Sequence, residues 1–209
     1  MSRSDNNDSL GARLAGLEDP GALGRLRVAV AARADAEGLL DVAWTTTDSP
    51  VGPLLLAASP RGLLRIAYTA QEAPEAVLDR LAARISPRVL ERPERLDEPR
   101  RQLEQYFSGA RRAFELDCDQ ALIGPYARRV LGRTAQIPFG ATLSYAEVAA
   151  EAGSPRGARA AGNALGSNPI PIVIPCHRVL RAGGALGGYT GGLDRKRTLL
   201  ALEGVRVIG

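Results

Sequence analysis

The sequence is poor in the residues that usually mark a metal site or a secreted framework. It has 2 Cys and 1 His among 209 residues. A structural zinc site takes four Cys or His ligands, so the set Cys118, Cys176 and His177 falls short and no metal is expected. A single Cys118–Cys176 pair would be no disulfide framework either. Lysine is nearly absent: Lys196 is the only one, and arginine carries the rest of the positive charge. No apolar run approaches the ~20 residues of a membrane span. The first residues, "MSRSDNNDSLGARLAGLEDPG", contain no signal-peptide core. These gaps lead to the expectation of a cytoplasmic chain with reduced thiols, away from any membrane.

What is present is enough apolar residue for a core, 45% of the chain, and an uneven charge. The formal net charge is only +4. From Pro125 to Gly209 there are 11 Lys+Arg against 4 Asp+Glu, or +7; the rest, 16 against 19, is −3. A local basic surface suits a polyanion partner. A general preference for arginine would explain the guanidinium groups but not the scarcity of acids in this segment.

Residues 1 to 9 are polar and read as disordered. Residues 10 to 37 could form short helices broken at Asp19-Pro20-Gly21, an extension of unknown role. Strand signals follow in "LLDVAWTT", "VGPLLLAAS" and "GLLRIAYT", joined by turn-like segments. "QEAPEAVLDRLAARI" reads as an amphipathic helix with Ala76, Leu78, Leu81, Ala82 and Ile85 inward. "DEPRRQLEQYFSG" reads as another, with Leu103, Tyr106 and Phe107 inward and Gly109 as its stop. Residues 38 to 118 thus form a sheet with covering helices and no catalytic cluster, a scaffold. Beyond it, "PYARRVLGRTAQIPFG" predicts a helix ended by Pro138 and Gly140. Ser144 with Glu147 is a capping-box signature for a helix over Tyr145–Ala152. Ser154 caps the next predicted helix, about Arg156 to Leu165, with Pro155 in its first turn. The pair forms a helix-turn-helix. Its second helix is almost all Gly and Ala apart from Arg156 and Arg159, which suits either close core packing or docking on DNA. "RAGGALGGYTGG" lacks the residues of a phosphate-binding loop and reads as a flexible pocket lip. "LDRKRTLLALEGV" closes the chain as a helix.

The densest chemistry lies in "IPIVIPCHRVL". An apolar run, read as a strand, ends in Pro175 and delivers Cys176, His177 and Arg178 together. A thiol needs a base or a nearby positive charge to become a nucleophile. Neighbours on a strand point to opposite faces, so His177 could serve Cys176 only through a bend or a bridging water. A base needs an orienting carboxylate, and Glu203 is a natural candidate. Each residue alone would more often be a buried core residue.

"NPIPIVIPCHRV", with "IPFGATLSYAEVA", "ARAAGNALGSNP" and "GGALGGYTGGLDRKRTLLALEG" in the same order, resembles the O6-alkylguanine-DNA alkyltransferases, also called methylated-DNA–protein-cysteine methyltransferases. The likeness is strong over about residues 122 to 206, looser from about residue 40, and absent over 1 to 37. It implies an α+β fold: a small ribonuclease-H-like sheet-plus-helix domain, 38 to 118, then a mostly helical domain, 119 to 209, holding the helix-turn-helix and an active-site strand.

The resemblance also implies roles. Cys176 would accept the alkyl group of O6-alkylguanine, or O4-alkylthymine, in duplex DNA. His177 would be its base through a water, oriented by Glu203. Asn168 would be the hinge between helix-turn-helix and active site. Tyr145 would press on the target phosphate and assist protonation of the departing guanine. Val179 would recognise the base through its backbone, with Tyr189 and Thr190 as the pocket wall. Arg159 would fill the stack as the base flips out, with Arg156 and Ser154 also on the DNA face, in the minor groove. No cofactor would be needed, since the protein is the acceptor. Each molecule, a monomer that could bind DNA cooperatively, would act once. The alternatives are a lesion sensor that binds without transfer, for which Cys176 would be superfluous, and a cysteine hydrolase, for which adjacent Cys and His are poor geometry.

Overall fold

The computed structural model describes residues 20–206. Residues 1 to 19, including the predicted disordered start, lie outside that range. A 17-residue helix, α1 (Pro20–Ala36), covers most of the stretch in which short helices were expected; the expected break at Asp19-Pro20-Gly21 falls at the edge of the described residues. It packs on the edge of a sheet, where its Asp35 pairs with Arg92 and Arg95.

The sheet contains β1 (Val42–Thr47), β2 (Leu54–Ser59), β3 (Gly62–Tyr68) and β4 (Val89–Glu91), in the order β3-β2-β1-β4. The first three strands form an antiparallel meander, as predicted. The fourth pairs parallel with β1. Its three residues, between Pro87 and Pro93, are too few to show the alternation that marks a strand in a sequence. β2 reads "LLLAAS" without alternation because both of its faces are covered. Leu54 and Leu56 face the C-terminal half, beside Val130, Ile170 and Leu199. Leu55 and Ala57 face α2 (Pro74–Arg84), beside Val77 and Leu81. The inward stripe of α2 is therefore Val77, Leu78, Leu81 and Ile85, while the predicted Ala76 is exposed. α3 (Asp97–Phe107) buries Leu103 and Tyr106 as expected, and Gly109 follows with φ +80°.

The chain then runs beside β3, where Leu63 bridges to Cys118, and enters α4 (Pro125–Thr134). α4 ends earlier than Pro138, because Gln136 and Ile137 N–H groups turn back to Arg133 and Thr134. β5 (Leu143–Ser144) leads into α5 (Tyr145–Glu151) through the predicted capping box: the Glu147 N–H donates to Ser144 Oγ at 3.2 Å, and the Ser144 N–H to the Glu147 carboxylate at 2.7 Å. α6 (Ala158–Gly166) starts later than predicted. Residues 154 to 157 form a turn in which the Gly157 N–H donates to the Ser154 carbonyl at 2.7 Å. Ser154 is therefore not a cap, and Arg156 sits in the turn, outside the helix. A Cβ at Gly157 would lie 2.3 Å from Ser154 Oγ, so the tight turn takes precedence over an early helix start.

The largest departure is the apolar run itself. Residues 170 to 174 are a buried turn, not an extended strand: the Ile174 N–H donates to the Ile170 carbonyl at 2.9 Å, and Ile172 has φ +75°. Pro169, Pro171 and Pro175 have no N–H to give a ladder. A short 3-10 turn, Cys176–Arg178, follows, and then β6 (Val179–Leu180), parallel to β5. Helix α7 (Leu193–Leu202) closes the domain.

Candidate active site

Cys176, His177 and Arg178 occupy one turn of 3-10 helix, which explains how adjacent residues serve one site. The turn splays them. Cys176 lies on the wall of a cavity of about 220 Å³, with Tyr145, Leu165, Gly188, Tyr189 and Thr190. His177 and Arg178 point together at a carboxylate, that of Glu203, just past the end of α7. A larger groove of about 920 Å³ between α3 and the β1–β2 turn holds no thiol or imidazole in its lining.

Glu203 is held from several sides. His177 Nε2 lies 2.9 Å from Oε1. Arg178 donates to both oxygens, each at 2.8 Å. The Tyr106 hydroxyl, on α3, donates to Oε1 at 2.7 Å. Burial raises the pKa of Glu203, but the hydrogen bonds from His177 and Arg178 prevail and bring it from 4.5 to about 2. A carboxylate at Nε2 fixes the His177 tautomer, with the proton on Nε2 and a lone pair on Nδ1. Nδ1 is buried and has no hydrogen-bond partner in the protein. Burial also lowers the His177 pKa against the pull of Glu203, which favours the neutral imidazole.

Asn168 organises the turn below the sulfur. Its amide donates to the Ile174 carbonyl at 2.8 Å and to Cys176 Sγ at 3.2 Å, and its Oδ1 accepts from the Ile170 N–H at 3.0 Å. Burial pushes the Cys176 thiol up to about 11, and the Asn168 amide and Lys196 oppose the rise. The resting sulfur is therefore a thiol, with donors in place for the thiolate.

Lys196, the sole lysine, had no role assigned from sequence; only its rarity could have marked it. It is fully buried in α7, and its ammonium donates to the Val179 carbonyl at 2.6 Å and the Gly188 carbonyl at 3.3 Å. Burial brings its pKa down to about 8. The Val179 carbonyl is thus engaged by the ammonium. The Tyr145 hydroxyl donates to the Gly188 carbonyl at 3.2 Å, and its pKa is raised by burial and by Cys176. The Tyr189 hydroxyl lies 2.7 Å from that of Tyr68 on β3. Thr190 Oγ1 donates to the Gly166 carbonyl. Tyr106, Tyr68 and Arg178 also went unassigned in the sequence: the tyrosines look like core residues, and the arginine like a basic neighbour.

Outside the cavity, α6 buries Ala161, Ala164 and Leu165 and exposes Arg159, Ala160, Asn163 and Gly166. Core packing and an open small-residue face therefore coexist on opposite sides of one helix. Arg156 is exposed in the preceding turn. Among the described residues, no group of His, Cys, Asp and Glu could hold a metal ion, and no helix is long and apolar enough to cross a membrane.

Two family models cover most of the chain. The one described as "6-O-methylguanine DNA methyltransferase, ribonuclease-like domain" matches residues 42–120. The one described as "6-O-methylguanine DNA methyltransferase, DNA binding domain" matches residues 125–205. The chain belongs to the 6-O-methylguanine DNA methyltransferase family. Relatives named methylated-DNA–protein-cysteine methyltransferase include one from Mycolicibacterium paratuberculosis, 41% identical over 163 residues, covering 78% of this chain and 92% of that protein. One from Rattus norvegicus is 40% identical over 174 residues, covering 78% and 82%. The crystal structure of Mycobacterium tuberculosis O6-methylguanine methyltransferase superposes with TM-score 0.67 at 39% identity, covering 78% of this chain and 92% of that one. The Mycobacterium tuberculosis OGT in complex with DNA gives TM-score 0.67 at 39% identity, covering 77% and 92%. The ribonuclease-like and helical halves expected from the sequence are those of this family, and α1 lies outside both matches.

Proposed function

We propose that this protein repairs alkylated duplex DNA by moving the alkyl group of O6-alkylguanine, and of O4-alkylthymine, onto Cys176, once per molecule. The observation that carries this reading is the placement of Cys176 on the wall of a cavity lined by Tyr145, Leu165, Tyr189 and Thr190, next in sequence to a His177 whose Nε2 is tied to Glu203 and whose Nδ1 has no partner in the protein. The thiol proton passes through a water to His177 Nδ1. The thiolate, held by the Asn168 amide, attacks the alkyl carbon. A C–S bond forms, the carbon–O6 bond breaks, and its electron pair stays on the guanine. The Tyr145 hydroxyl donates to that developing charge, and the proton taken by His177 restores neutral guanine through solvent. No cofactor enters this balance, because the sulfur keeps the alkyl group.

DNA is the partner that the basic, DNA-binding half serves. The exposed small-residue face of α6 lies in the minor groove, with Arg159 replacing the extruded base and Arg156 on a phosphate. Tyr145, Tyr189 and Thr190 wall the base pocket, Val179 offers its carbonyl, and Asn168 is the hinge. Ser154, in the turn before α6, faces DNA as part of the backbone approach. Residues 38 to 118 and 119 to 209 act as scaffold and transfer domains of a monomer that can bind cooperatively.

Incubation with an oligonucleotide carrying O6-methylguanine tests this directly. The intact mass should rise by one methyl group on Cys176, with Cys118 unmodified, and Cys176→Ala should bind the same DNA without gaining mass. Binding by the native protein with no mass gain would favour the lesion-sensor reading instead.

A further inference from the structure

We propose that Tyr68, in the sheet domain, is a positioning residue that sets the size of the alkyl group the Cys176 cavity accepts, by holding the Tyr189 wall in place. This rests on the assignment of that cavity as the alkylated-base pocket. Tyr189 stands on the loop between β6 and α7, whose only regular element is a 3-10 turn interrupted at Gly183. Gly183, Gly184 and Gly187 all have positive φ, so little in the loop's own sequence restrains the ring. The backbone on either side is tied, at Gly188 by Tyr145 and Lys196 and at Thr190 by Gly166, while the Tyr189 hydroxyl itself is met from 121 residues earlier in the chain by the Tyr68 hydroxyl, at 2.7 Å. The bond is part-buried, with Tyr68 itself in the core, and a buried polar atom left unpaired is costly.

Tyr68 is itself held firmly. It ends β3 and is 3% exposed. The Arg195 guanidinium lies 4.9 Å over its ring, and Arg195 donates in turn to the Val51 carbonyl at 2.6 Å and the Gly191 carbonyl at 2.9 Å. The loop backbone passes so close that a Cβ on Gly191 would lie 2.6 Å from both tyrosine rings. On its other side, Tyr189 meets His177 edge-on, with centroids 6.4 Å apart. A rotation of Tyr189 therefore changes the cavity beside the sulfur and the imidazole at once. The sheet domain is then more than a support: it dictates the position of one pocket wall.

The test compares second-order transfer rates from duplexes of one sequence carrying either O6-methylguanine or O6-benzylguanine, so that DNA binding cancels. Tyr68→Phe keeps the ring and the Arg195 contact but removes the hydroxyl. The ratio of benzyl to methyl rate should rise about tenfold, the effect of one lost hydrogen bond on a positioned group. Tyr189→Phe removes the same bond from the other side and should give the same change. In the Tyr189→Phe background, adding Tyr68→Phe should move the ratio by less than about twofold, because the coupling is already gone. Equal loss on both substrates, or full additivity of the two variants, would overturn the role of Tyr68 and leave the pocket assignment standing. Wild-type protein that alkylates Cys176 from neither duplex would instead sink the function itself, and this inference with it.

Discussion

The Tyr106 hydroxyl on α3 donates to Oε1 of Glu203, 97 residues later, at 2.7 Å. The bond joins the sheet half of the protein to the carboxylate that orients His177. Both groups are buried, and Tyr106 also packs against Phe107, Phe114 and Phe139. Tyr106→Phe should keep that packing and lose the hydrogen bond to a charged acceptor, at about 2 kcal/mol. A protein of this size should then melt roughly 4–8 °C lower. An unchanged midpoint in thermal unfolding would mean that Arg178, His177 and the Gly140 N–H suffice for Glu203.

Glu203→Gln tests the electrostatics of the same cluster. The variant leaves the Arg178 guanidinium buried without its carboxylate, a loss of about 3–5 kcal/mol. The folded pKa of Glu203 is depressed from 4.5 to about 2, so its stabilisation is complete above 4.5 and is lost as pH falls through that window. Denaturant titrations between pH 6 and 2 should show wild type losing stability more steeply than Glu203→Gln below about pH 4.5. Parallel curves would show that the carboxylate is not held ionised by its partners.

Arg159 is exposed on α6, and its proposed contact is made only when a base has left the stack. Extrusion costs a few kcal/mol, and each 1.36 kcal/mol is tenfold in rate. Arg159→Ala should therefore slow transfer from an alkylated duplex by about one to two orders of magnitude. Its reaction with free O6-benzylguanine should stay near the wild-type rate. Matching losses on both substrates would place Arg159 in support of the pocket.

The basic half predicts a steep salt dependence of DNA affinity, with a log–log slope of about −0.9 for each phosphate contact. Arg156, in the turn before α6, should account for one of them. Titrations at several salt concentrations should give Arg156→Ala a slope shallower by about one. An identical slope would remove Arg156 from the DNA face.

The sequence by itself determined the local elements whose signals are local. The meander of β1 to β3, the Ser144–Glu147 capping box, and the clustering of Cys176 with His177 need only neighbours in the chain. Glu203 could be named as the orienting acid because acids in the C-terminal segment are few. The sequence also carried the family, through motifs in fixed order. Tertiary structure decided what depends on groups distant in sequence. The apolar run at 170 to 174 has the composition of a strand. It is nevertheless a buried turn, because its prolines cannot donate to a ladder and Asn168 supplies the missing hydrogen bonds. Tyr106, Tyr68 and Lys196 look like core or surface residues in the sequence. Each becomes part of the site only when packing brings a carboxylate, a second hydroxyl or a backbone carbonyl within about 3 Å, a meeting that no periodicity encodes.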